Sequence, residues 1–329
     1  MIISRTPFRI SFFGGGTDYP LWYNENGGAV LSTTINKYCY ISCRYLPPFF
    51  DYNYLIRYTF REEAMEIEDI KHPSVRECLK YLDLGKGIEM THTSDIPARS
   101  GIGSSSSFTV GFLNTLYALK GEMVSKRQLA RRAIHVEQDI LKENVGSQDQ
   151  VAAAFGGFNK IEFGGEKNFF VYPVTVNEEK LNYLQKCFMP FFTGLSRNAT
   201  EIAEEQIKKI PEKKEELTLM SQMVDEAVTI LNGKESGLDE FGKLLHESWK
   251  IKHTLTAKIS NSTIDDIYDA GLRAGVVGGK LCGAGGGGFI LFFVPPENQD
   301  AVKEKLKNLV YVPFGFETLG SQIILYSTQ

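Results

Sequence analysis

A glycine-rich turn runs directly into a long apolar-periodic segment at residues 97–108. Gly101 and Gly103 let the backbone turn tightly with its amides exposed, and the following residues predict a helix from Ser104 to Gly121. Helix N-termini carry unpaired N–H groups and the positive end of the helix dipole, so they bind phosphate without a lysine. Four consecutive serines add hydroxyl groups, which are suitable Mg²⁺ ligands beside a phosphate. This stretch therefore predicts a polyphosphate site.

The same serines could simply cap a core helix, because serine is a preferred N-cap residue. The spacing Pro-x-x-x-Gly-x-Gly-Ser-Ser is much rarer than a single cap and favours the anion site. The turn is not a Walker A loop, because none of the Gly-Lys pairs in the chain is followed by Ser or Thr. His-Arg-Asp and Asp-Phe-Gly are also absent from the sequence, which excludes the protein-kinase layout.

A second glycine-rich turn, Gly14-Gly15-Gly16-Thr17-Asp18, follows an extended N-terminal stretch that alternates from Phe8 onward. Three glycines let the backbone approach a ligand closely. Asp18 could then accept hydrogen bonds from sugar hydroxyl groups. A simple turn aspartate is the alternative, and the residues alone favour it.

Two acidic residues lie in the helical segments that follow the serine run. Glu137 has apolar neighbours three and four residues away on a helix that a Ser125–Gln128 capping box begins. A carboxylate on a buried face is costly unless it is paired or binds a metal, so a structural salt bridge and a metal site are both open. Asp149 lies in the first turn of the next predicted helix, and the residues alone make it a helix-start acid.

A third glycine-rich stretch, residues 280–288, formally contains G-x-G-x-x-G. A dinucleotide fingerprint needs a helix after its glycines, whereas residues 289–294 predict a buried strand. This turn is expected instead to approach phosphates or the first glycine-rich turn closely.

Length and composition bound the functional class. The 329 residues are enough for two domains or one large one with a substantial core. With 43% hydrophobic and 23% charged residues, the composition is typical of a soluble globular protein. The net charge of -4 gives no reason to expect nucleic acid or an anionic membrane as a partner, so any phosphate site must be local.

Cysteine usage and the N-terminal residues indicate the compartment. The five cysteines are scattered and contain no C-x-x-C pair, which is typical of a reduced compartment rather than of a disulfide framework or a zinc site. The first residues lack a signal-peptide pattern, and the most apolar run, residues 281–296, is too short and glycine-rich to span a bilayer. We therefore expect a cytoplasmic protein with no membrane partner.

Three motifs occur in the order found in one kinase superfamily. Pro7-x-Arg9-x-x-x-x-Gly14-x-x-Thr17-Asp18-Tyr19 resembles the sugar-binding signature of the galactokinase branch. Residues 97–106 resemble the ATP-phosphate loop of that superfamily, and residues 280–288 resemble its third motif. The chain is therefore similar to the kinases named for galactokinase, homoserine kinase, mevalonate kinase and phosphomevalonate kinase (GHMP).

This resemblance implies an α+β fold of two domains with ATP between them. Residues 1–185 are expected to form the ATP- and sugar-binding domain, an α/β domain of the ribosomal-protein-S5-domain-2-like type. Residues 186–329 are expected to form a ferredoxin-like α+β domain. The composition shifts near residue 185 towards long, charged, amphipathic helices, which agrees with this division.

The resemblance also implies roles for individual residues. Asp149 is expected to be the catalytic base, with Arg9 near the reacting oxygens. Glu137 and Ser105 are expected to bind Mg²⁺. ATP is expected to contact Pro97, Arg99, Ser100, Gly101, Ile102, Gly103, Ser104, Ser105 and Ser106. The sugar is expected to contact Gly14, Gly15, Gly16, Thr17, Asp18, Gly285, Gly286 and Gly287.

Along its length the chain most resembles the heptose 7-phosphate kinases of this superfamily, as in residues 5–12, 98–107 and 135–139. Galactokinases carry Glu-His where this chain has Gly15-Gly16, whereas Gly-Gly-Gly-Thr-Asp is the form found in heptose-phosphate kinases and fucokinases. The resemblance implies transfer of the ATP γ-phosphate to the anomeric oxygen of D-glycero-D-manno-heptose 7-phosphate. The product would be the 1,7-bisphosphate, used in nucleotide-activated heptose synthesis.

Two alternatives stay open at this point. One is a fucokinase-like or galactokinase-like sugar 1-kinase, and the other is a regulator that binds ATP and sugar without turnover. Retention of both Glu137 and Asp149 favours catalysis. No pattern ranks the basic residues that could hold the phosphate of the substrate, and homo-oligomerisation is left open. The candidates for that phosphate are Arg44, Arg76, Arg99, Lys160 and Arg197.

Overall fold

The computed structural model describes residues 1–165, 168–195, 199–233 and 237–327. Its strands are β1 (Ile2–Phe13), β2 (Gly28–Tyr45), β3 (Tyr54–Arg57), β4 (Arg61–Ala64), β5 (Ile88–Ser94), β6 (Phe158–Gly164), β7 (Asn168–Pro173), β8 (Phe188–Phe192), β9 (Gly278–Leu281), β10 (Phe289–Phe293), β11 (Val310–Tyr311), β12 (Phe316–Glu317) and β13 (Gln322–Tyr326). Its α-helices are α1 (Pro20–Asn26), α2 (Pro73–Leu82), α3 (Ser104–Leu119), α4 (Lys126–Ile134), α5 (Gln148–Phe155), α6 (Glu178–Cys187), α7 (Ala199–Lys209), α8 (Lys214–Asn232), α9 (Asp239–His253), α10 (Ser262–Arg273) and α11 (Gln299–Lys305). Among the helices of the described residues, none has the length and apolar character that a membrane crossing requires.

The N-terminal sheet is built around β1 and β2. β2 is 18 residues long and pairs antiparallel with β1 over most of its length. Its first part also pairs with β6 and its last part with β5. The β-branched and aromatic residues between positions 29 and 46 predicted strands here, and the structure confirms them as one continuous strand.

β1 is buried on both faces. The sequence alternates from Phe8 onward, a pattern typical of a strand with one solvent-exposed face, yet every residue from 8 to 13 is buried. One face meets α5, where Arg9 bonds to Asp149, and the other meets the second sheet, where the rings of Phe12 and Phe188 stack at 4.9 Å. A strand that is covered on both faces has no solvent side, so alternation could not predict its exposure.

The second sheet has four antiparallel strands in the order β11-β8-β10-β9. Helix α9 approaches β9 closely, since a Cβ on Gly278 would lie 1.9 Å from the carbonyl oxygen of Gly242. After this sheet the chain returns to the first one, where β12 pairs with β2 and β13 pairs with β1. The C-terminal tail therefore contributes strands to both sheets. The division of the chain at residue 185 stays a prediction.

Helix α3 confirms the helix predicted after the serine-rich turn. It spans Ser104–Leu119, and Gly121, just beyond it, has a left-handed φ of 76°. Gly111 lets α3 lie directly on β1, because a Cβ at this position would stand 2.6 Å from Thr6 Oγ1. Ser107 Oγ also donates to the carbonyl of Pro7 at 2.9 Å. These contacts fix the N-terminus of α3 against the first sheet.

A buried lysine connects the two sheets. Lys280 on β9 is 3% exposed, and its Nζ donates to the carbonyl of Phe12 on β1 at 2.8 Å. Burial, followed by the nearby charge of Lys252, lowers the pKa of Lys280 to about 7, because a desolvated ammonium is destabilised relative to the neutral amine. Protonated Lys280 therefore reduces the stability of the fold.

We predict that Lys280→Met changes how stability depends on pH. The ordinary pKa of Lys280 is 10.5, so between about pH 7 and 10.5 the unfolded chain binds the proton that the folded chain has lost. The free energy of unfolding of the wild type therefore rises with pH in this window. The advantage of Lys280→Met over the wild type should shrink by up to about 1.4 kcal/mol per pH unit from pH 7 to 9.

Urea titrations at pH 7, 8 and 9 measure this difference. Lys214→Met, which removes an exposed lysine at the start of α8, is the control and should differ from the wild type by the same amount at each pH. A difference for Lys280→Met that does not change with pH would contradict the prediction.

Candidate active site

A cleft of about 380 Å³ lies between the two sheets and collects most of the predicted site residues. The predicted residues that line it are Arg9, Gly15, Gly16, Asp18, Arg99, Gly101, Gly103, Ser104, Ser105, Ser106, Asp149, Gly285 and Gly287. The predicted residues that do not reach its wall are Gly14, Thr17, Pro97, Ser100, Ile102, Glu137 and Gly286. The fold therefore brings three separate sequence motifs to one place.

The serines at the N-terminus of α3 point in different directions. Ser106 Oγ donates to Glu137 Oε2 at 2.8 Å, whereas Ser107 Oγ donates to the carbonyl of Pro7. Ser105 is exposed towards the cleft. Ser106 is therefore the serine that contacts Glu137, whereas the expectation that Ser105 and Glu137 both bind Mg²⁺ stays a prediction. Successive residues of a helix are about 100° apart, so Ser105 and Ser106 point in different directions.

Glu137 is fully buried, as its apolar neighbours predicted. It lies in a π-helical turn, His135–Ile140, that continues α4, and Gln150 Nε2 also donates to its carboxylate. Among the described residues no cation forms an ion pair with Glu137, so the structural salt bridge is not the arrangement found. Burial raises the pKa of Glu137 to about 7.

The surroundings of Glu137 fit a magnesium ion. Its Oε1 is buried and has no hydrogen-bond partner among the described residues, although an unpaired buried carboxylate oxygen is costly. Its other oxygen accepts from Ser106 Oγ, and Ser106 lines the cleft. No group of three His, Cys, Asp or Glu side chains suited to a metal occurs among the described residues. Mg²⁺ is commonly held by one or two protein oxygens together with substrate phosphates, and this donor set suits that mode.

Arg9 and Asp149 form the central ion pair of the cleft. Arg9 Nε donates to Asp149 Oδ1 and Arg9 Nη2 to Asp149 Oδ2, each at 2.8 Å. Arg9 Nη1 donates to the carbonyl of Gly101 at 2.8 Å. Gly103 leaves the carboxylate accessible, since a Cβ there would lie 3.3 Å from Asp149 Oδ2. A bidentate pair fixes the plane of both groups and so aims the carboxylate.

The turn at residues 14–18 divides into residues that build it and residues that face the cleft. Thr17 is buried, and its Oγ1 donates to the carbonyls of Gly14 and Ala29. Asp18 is 2% exposed and accepts from the amide of Gly16 at 3.0 Å. Burial raises the pKa of Asp18, and the Gly16 amide lowers it by a smaller amount. Gly14 and Thr17 are thus structural, whereas Asp18 lines the cleft.

The third glycine-rich stretch packs directly on the phosphate loop. A Cβ on Gly101 would lie 2.5 Å from the carbonyl oxygen of Cys282, and one on Gly283 would lie 2.6 Å from Gly101 Cα. The amide of Phe289 donates to the carbonyl of Ser100 at 3.1 Å. Close backbone approach was the predicted role of these glycines. The contact buries backbone groups and leaves Gly285 and Gly287 at the cleft wall.

Sequence reasoning missed two buried lysines in the cleft wall. Lys252 on α9 is 5% exposed, and Lys280 on β9 is 3% exposed. Burial lowers the pKa of Lys252 to about 8. Lys280 lies in the third motif, between Gly279 and an apolar strand, and this position was a usable signal. Lys252 had none, because a lysine in an amphipathic helix is usually solvated.

Four of the five basic candidates for a substrate phosphate can be located. Arg44 pairs with Glu89, Arg76 with Glu77, and Lys160 with both Glu162 and Asp225, and none of the three lines the cleft. Arg99 lines the cleft and has a left-handed φ of 61°. Arg197 lies outside the described residues.

The family models and the relatives that match this chain indicate the same protein family. The family model "GHMP kinases N terminal domain" matches residues 73–157, and "GHMP kinases C terminal" matches residues 229–312. The D-glycero-alpha-D-manno-heptose 7-phosphate kinase of Campylobacter jejuni is 30% identical over 97% of each chain. The L-fucokinase/L-fucose-1-P guanylyltransferase of Bacteroides fragilis is 26% identical over 92% of this chain, which spans 35% of that protein.

Solved structures show the same architecture. The D-glycero-D-manno-heptose 1-phosphate kinase of Bacteroides thetaiotaomicron superposes with a TM-score of 0.78 at 24% identity over 100% of both chains. The galactokinase of Lactococcus lactis, complexed with galactose, has a TM-score of 0.71 at 20% identity, covering 98% of this chain and 94% of that one. At these identities the likeness shows the fold. The family matches and the full-length relative show that the chain belongs to the GHMP kinases and is an ATP-dependent sugar kinase.

Proposed function

We propose that the protein transfers the γ-phosphate of ATP to the anomeric hydroxyl of D-glycero-D-manno-heptose 7-phosphate. The observation that carries the proposal is the Asp149 carboxylate, held by Arg9 beside the N-terminus of α3. A phosphate site and a proton acceptor are the two parts that a sugar kinase needs. The full-length likeness to a heptose 7-phosphate kinase supports the acceptor.

The nucleotide phosphates bind at the N-terminus of α3 in this proposal. The first turn of α3 has free amides, and the left-handed Gly101 and Gly103 open the loop before it. Ser104, Ser105 and Arg99 line the same part of the cleft. The helix dipole and the guanidinium would offset the charge of the triphosphate.

Mg²⁺ would be held by Ser106 and Glu137 together with phosphate oxygens. When bound, the ion neutralises charge on the phosphates during transfer. Glu137 would supply its buried Oε1, which has no hydrogen-bond partner in the part of the chain that the structure describes. Ser106 stays hydrogen-bonded to the other carboxylate oxygen and orients it.

Asp149 takes the proton of the acceptor hydroxyl. The hydroxyl oxygen forms a bond to the γ-phosphorus while the bond between that phosphorus and the β–γ bridging oxygen breaks, and ADP leaves. Arg9 keeps both carboxylate oxygens in place through its bidentate contact. Asp18 lines the same cleft as Asp149, together with Gly15 and Gly16, which supports binding of sugar hydroxyls there.

A fucose 1-kinase is the second candidate, because the Bacteroides fragilis relative named as an L-fucokinase matches 92% of this chain. Both activities attach phosphate at an anomeric oxygen and need the same Asp149 geometry. They differ in whether the acceptor already carries a phosphate group, so acceptor selectivity separates them.

We predict that heptose 7-phosphate is used at least ~10²-fold better in kcat/KM than unphosphorylated heptose, L-fucose or galactose. A site that pairs a substrate phosphate with cations leaves those cations unmatched when the phosphate is missing, which costs on the order of 2–4 kcal/mol. Coupled assays of ADP release with each sugar measure the ratio. Equal use of L-fucose would replace the heptose assignment, and binding without ADP release would favour a sensor.

We predict that Asp149→Asn lowers kcat by at least ~10²-fold and leaves ATP affinity nearly unchanged, because the amide has the same shape but cannot accept the proton. Steady-state kinetics and calorimetric titration with ATP test the two parts. Asp139→Asn, an exposed residue of the π-helical turn, is the control and should retain wild-type kcat. Turnover within a few-fold of the wild type in Asp149→Asn would sink the assignment.

We predict that Ser106→Ala and Glu137→Gln raise the Mg²⁺ concentration needed for half-maximal activity by about tenfold or more, because each removes or disturbs an oxygen ligand. Ser105→Ala is the matched control on the neighbouring residue, and its Mg²⁺ titration should resemble that of the wild type. A larger shift in Ser105→Ala than in Ser106→Ala would restore Ser105 as the ligand.

A further inference from the structure

Lys252 and Lys280 lie near each other in the cleft wall although both are buried. Lys252 Nζ donates to the carbonyl of Gly283, and Lys280 Nζ donates to the carbonyl of Phe12 at 2.8 Å. Burial is the largest cause that lowers the pKa of Lys280, and the nearby charge of Lys252 is the second. An ammonium has three N–H donors, so each lysine keeps donors for a ligand.

The charge of this pair is only partly balanced by the nearby carboxylates, of which Asp18 acts on both lysines and Asp149 on Lys252. Among the described residues neither lysine forms an ion pair with a carboxylate. The two nearby carboxylates are engaged elsewhere, because Asp149 is held by Arg9 and Asp18 accepts from a backbone amide. Keeping both lysines protonated without a counter-ion is costly, so Lys280 gives up its proton above about pH 7 in the free protein. An anionic ligand is the partner that would offset this cost.

Polar atoms without partners lie in the same wall. Ser11 Oγ and Gln148 Oε1 are buried and have no hydrogen-bond partner among the described residues. The two side chains flank Gly15, where a Cβ would stand 3.9 Å from Ser11 Oγ and 3.8 Å from Gln148 Nε2. Gly15 has no left-handed φ and no steric clash to require a glycine. Its missing side chain leaves room for a polar ligand.

The lysine pair lies between the anion site at the N-terminus of α3 and the turn at residues 14–18, because Lys252 bonds to Gly283, which packs on Gly101. Lys280 reaches the cleft beside Phe12, and Phe12 leads into the turn at residues 14–18 that carries Asp18. In the proposed function the nucleotide phosphates bind the amides of α3 and Arg99. The additional cations therefore belong to the acceptor side of the cleft.

We propose that Lys252 and Lys280 bind the phosphate group that the acceptor sugar already carries, and that Ser11 and Gln148 bind its hydroxyl groups beside Gly15. This inference rests on the proposed sugar kinase function and names the residues behind its selectivity. The ligand of the two lysines would be the dianionic phosphate group of a sugar phosphate. None of the basic residues considered from the sequence alone belongs to this pair.

The test compares kcat/KM for heptose 7-phosphate with kcat/KM for unphosphorylated heptose in Lys280→Met and Lys252→Met. Loss of one charged hydrogen bond corresponds to about a 10- to 100-fold decrease for the phosphorylated acceptor. The ratio of the two values should fall by this factor, because unphosphorylated heptose has no phosphate group for the lysine to bind. Lys160→Met, on a lysine that pairs with Glu162 and Asp225 outside the cleft, is the matched control and should preserve the ratio.

A parallel decrease for both acceptors would overturn the proposal, because it would assign the lysines to the transferred γ-phosphate. Unchanged kinetics for both acceptors in both variants would overturn it as well. Lys280→Gln keeps a donor for the Phe12 carbonyl and serves as the second variant if Lys280→Met does not fold.

Calorimetric titration separates this inference from the proposed function. The wild type is titrated with heptose 7-phosphate and with heptose in the presence of a non-hydrolysable ATP analogue, and so are the lysine variants. If the wild type shows no turnover but binds the phosphorylated sugar more tightly, and Lys280→Met loses that preference, the catalytic proposal fails and the phosphate site stands. Equal affinity for the two sugars in the wild type would overturn the site.

Discussion

The cleft depends on a backbone contact between two glycine-rich stretches. A Cβ on Gly101 or on Gly283 would collide with the opposite chain, and the Phe289 amide bonds to the Ser100 carbonyl at the same place. Side chains here would push the second sheet away from the first and open the cleft. With the backbones in contact, α3, Asp149 and the lysines of the second half lie within one small volume. Arg9 of the first sheet and Lys280 of the second sheet are thereby held in the same cleft.

The same cleft concentrates groups that destabilise the free protein. Within the described residues, Glu137 Oε1 and polar atoms of Ser11 and Gln148 are buried without a hydrogen-bond partner. Lys252 and Lys280 are buried lysines that form no ion pair with these described parts of the chain. Each arrangement costs free energy until a ligand completes it. A cation near Glu137, nucleotide phosphates at α3 and an anionic sugar near the lysines would offset these costs together. Ligand binding would therefore raise the free energy of unfolding that these buried groups lower in the free protein.

The π-helical turn of His135–Ile140 shows how local backbone geometry serves the site. An α-helical period places Glu137 on the apolar face, and the carboxylate is indeed buried. The wider turn and the neighbouring α5 then decide which groups meet it, namely Ser106 and Gln150 rather than a basic side chain. Such turns are frequent at functional sites. Burial of Glu137 was therefore a local property, whereas its partners were set by packing.

Features that depend on residues close together in the chain could be predicted from the sequence. Helix α3 after its serine-rich turn, the long β2, and the apolar surroundings of Glu137 follow from propensity, caps and period, and the structure contains all three. Tertiary structure alone decided what depends on distant contacts. It covered β1 on both faces, returned β12 and β13 to the first sheet, and turned Ser106 rather than Ser105 to Glu137. It also buried Lys252 and Lys280, because the environment of a lysine is set by residues that are remote in sequence and adjacent only in the fold.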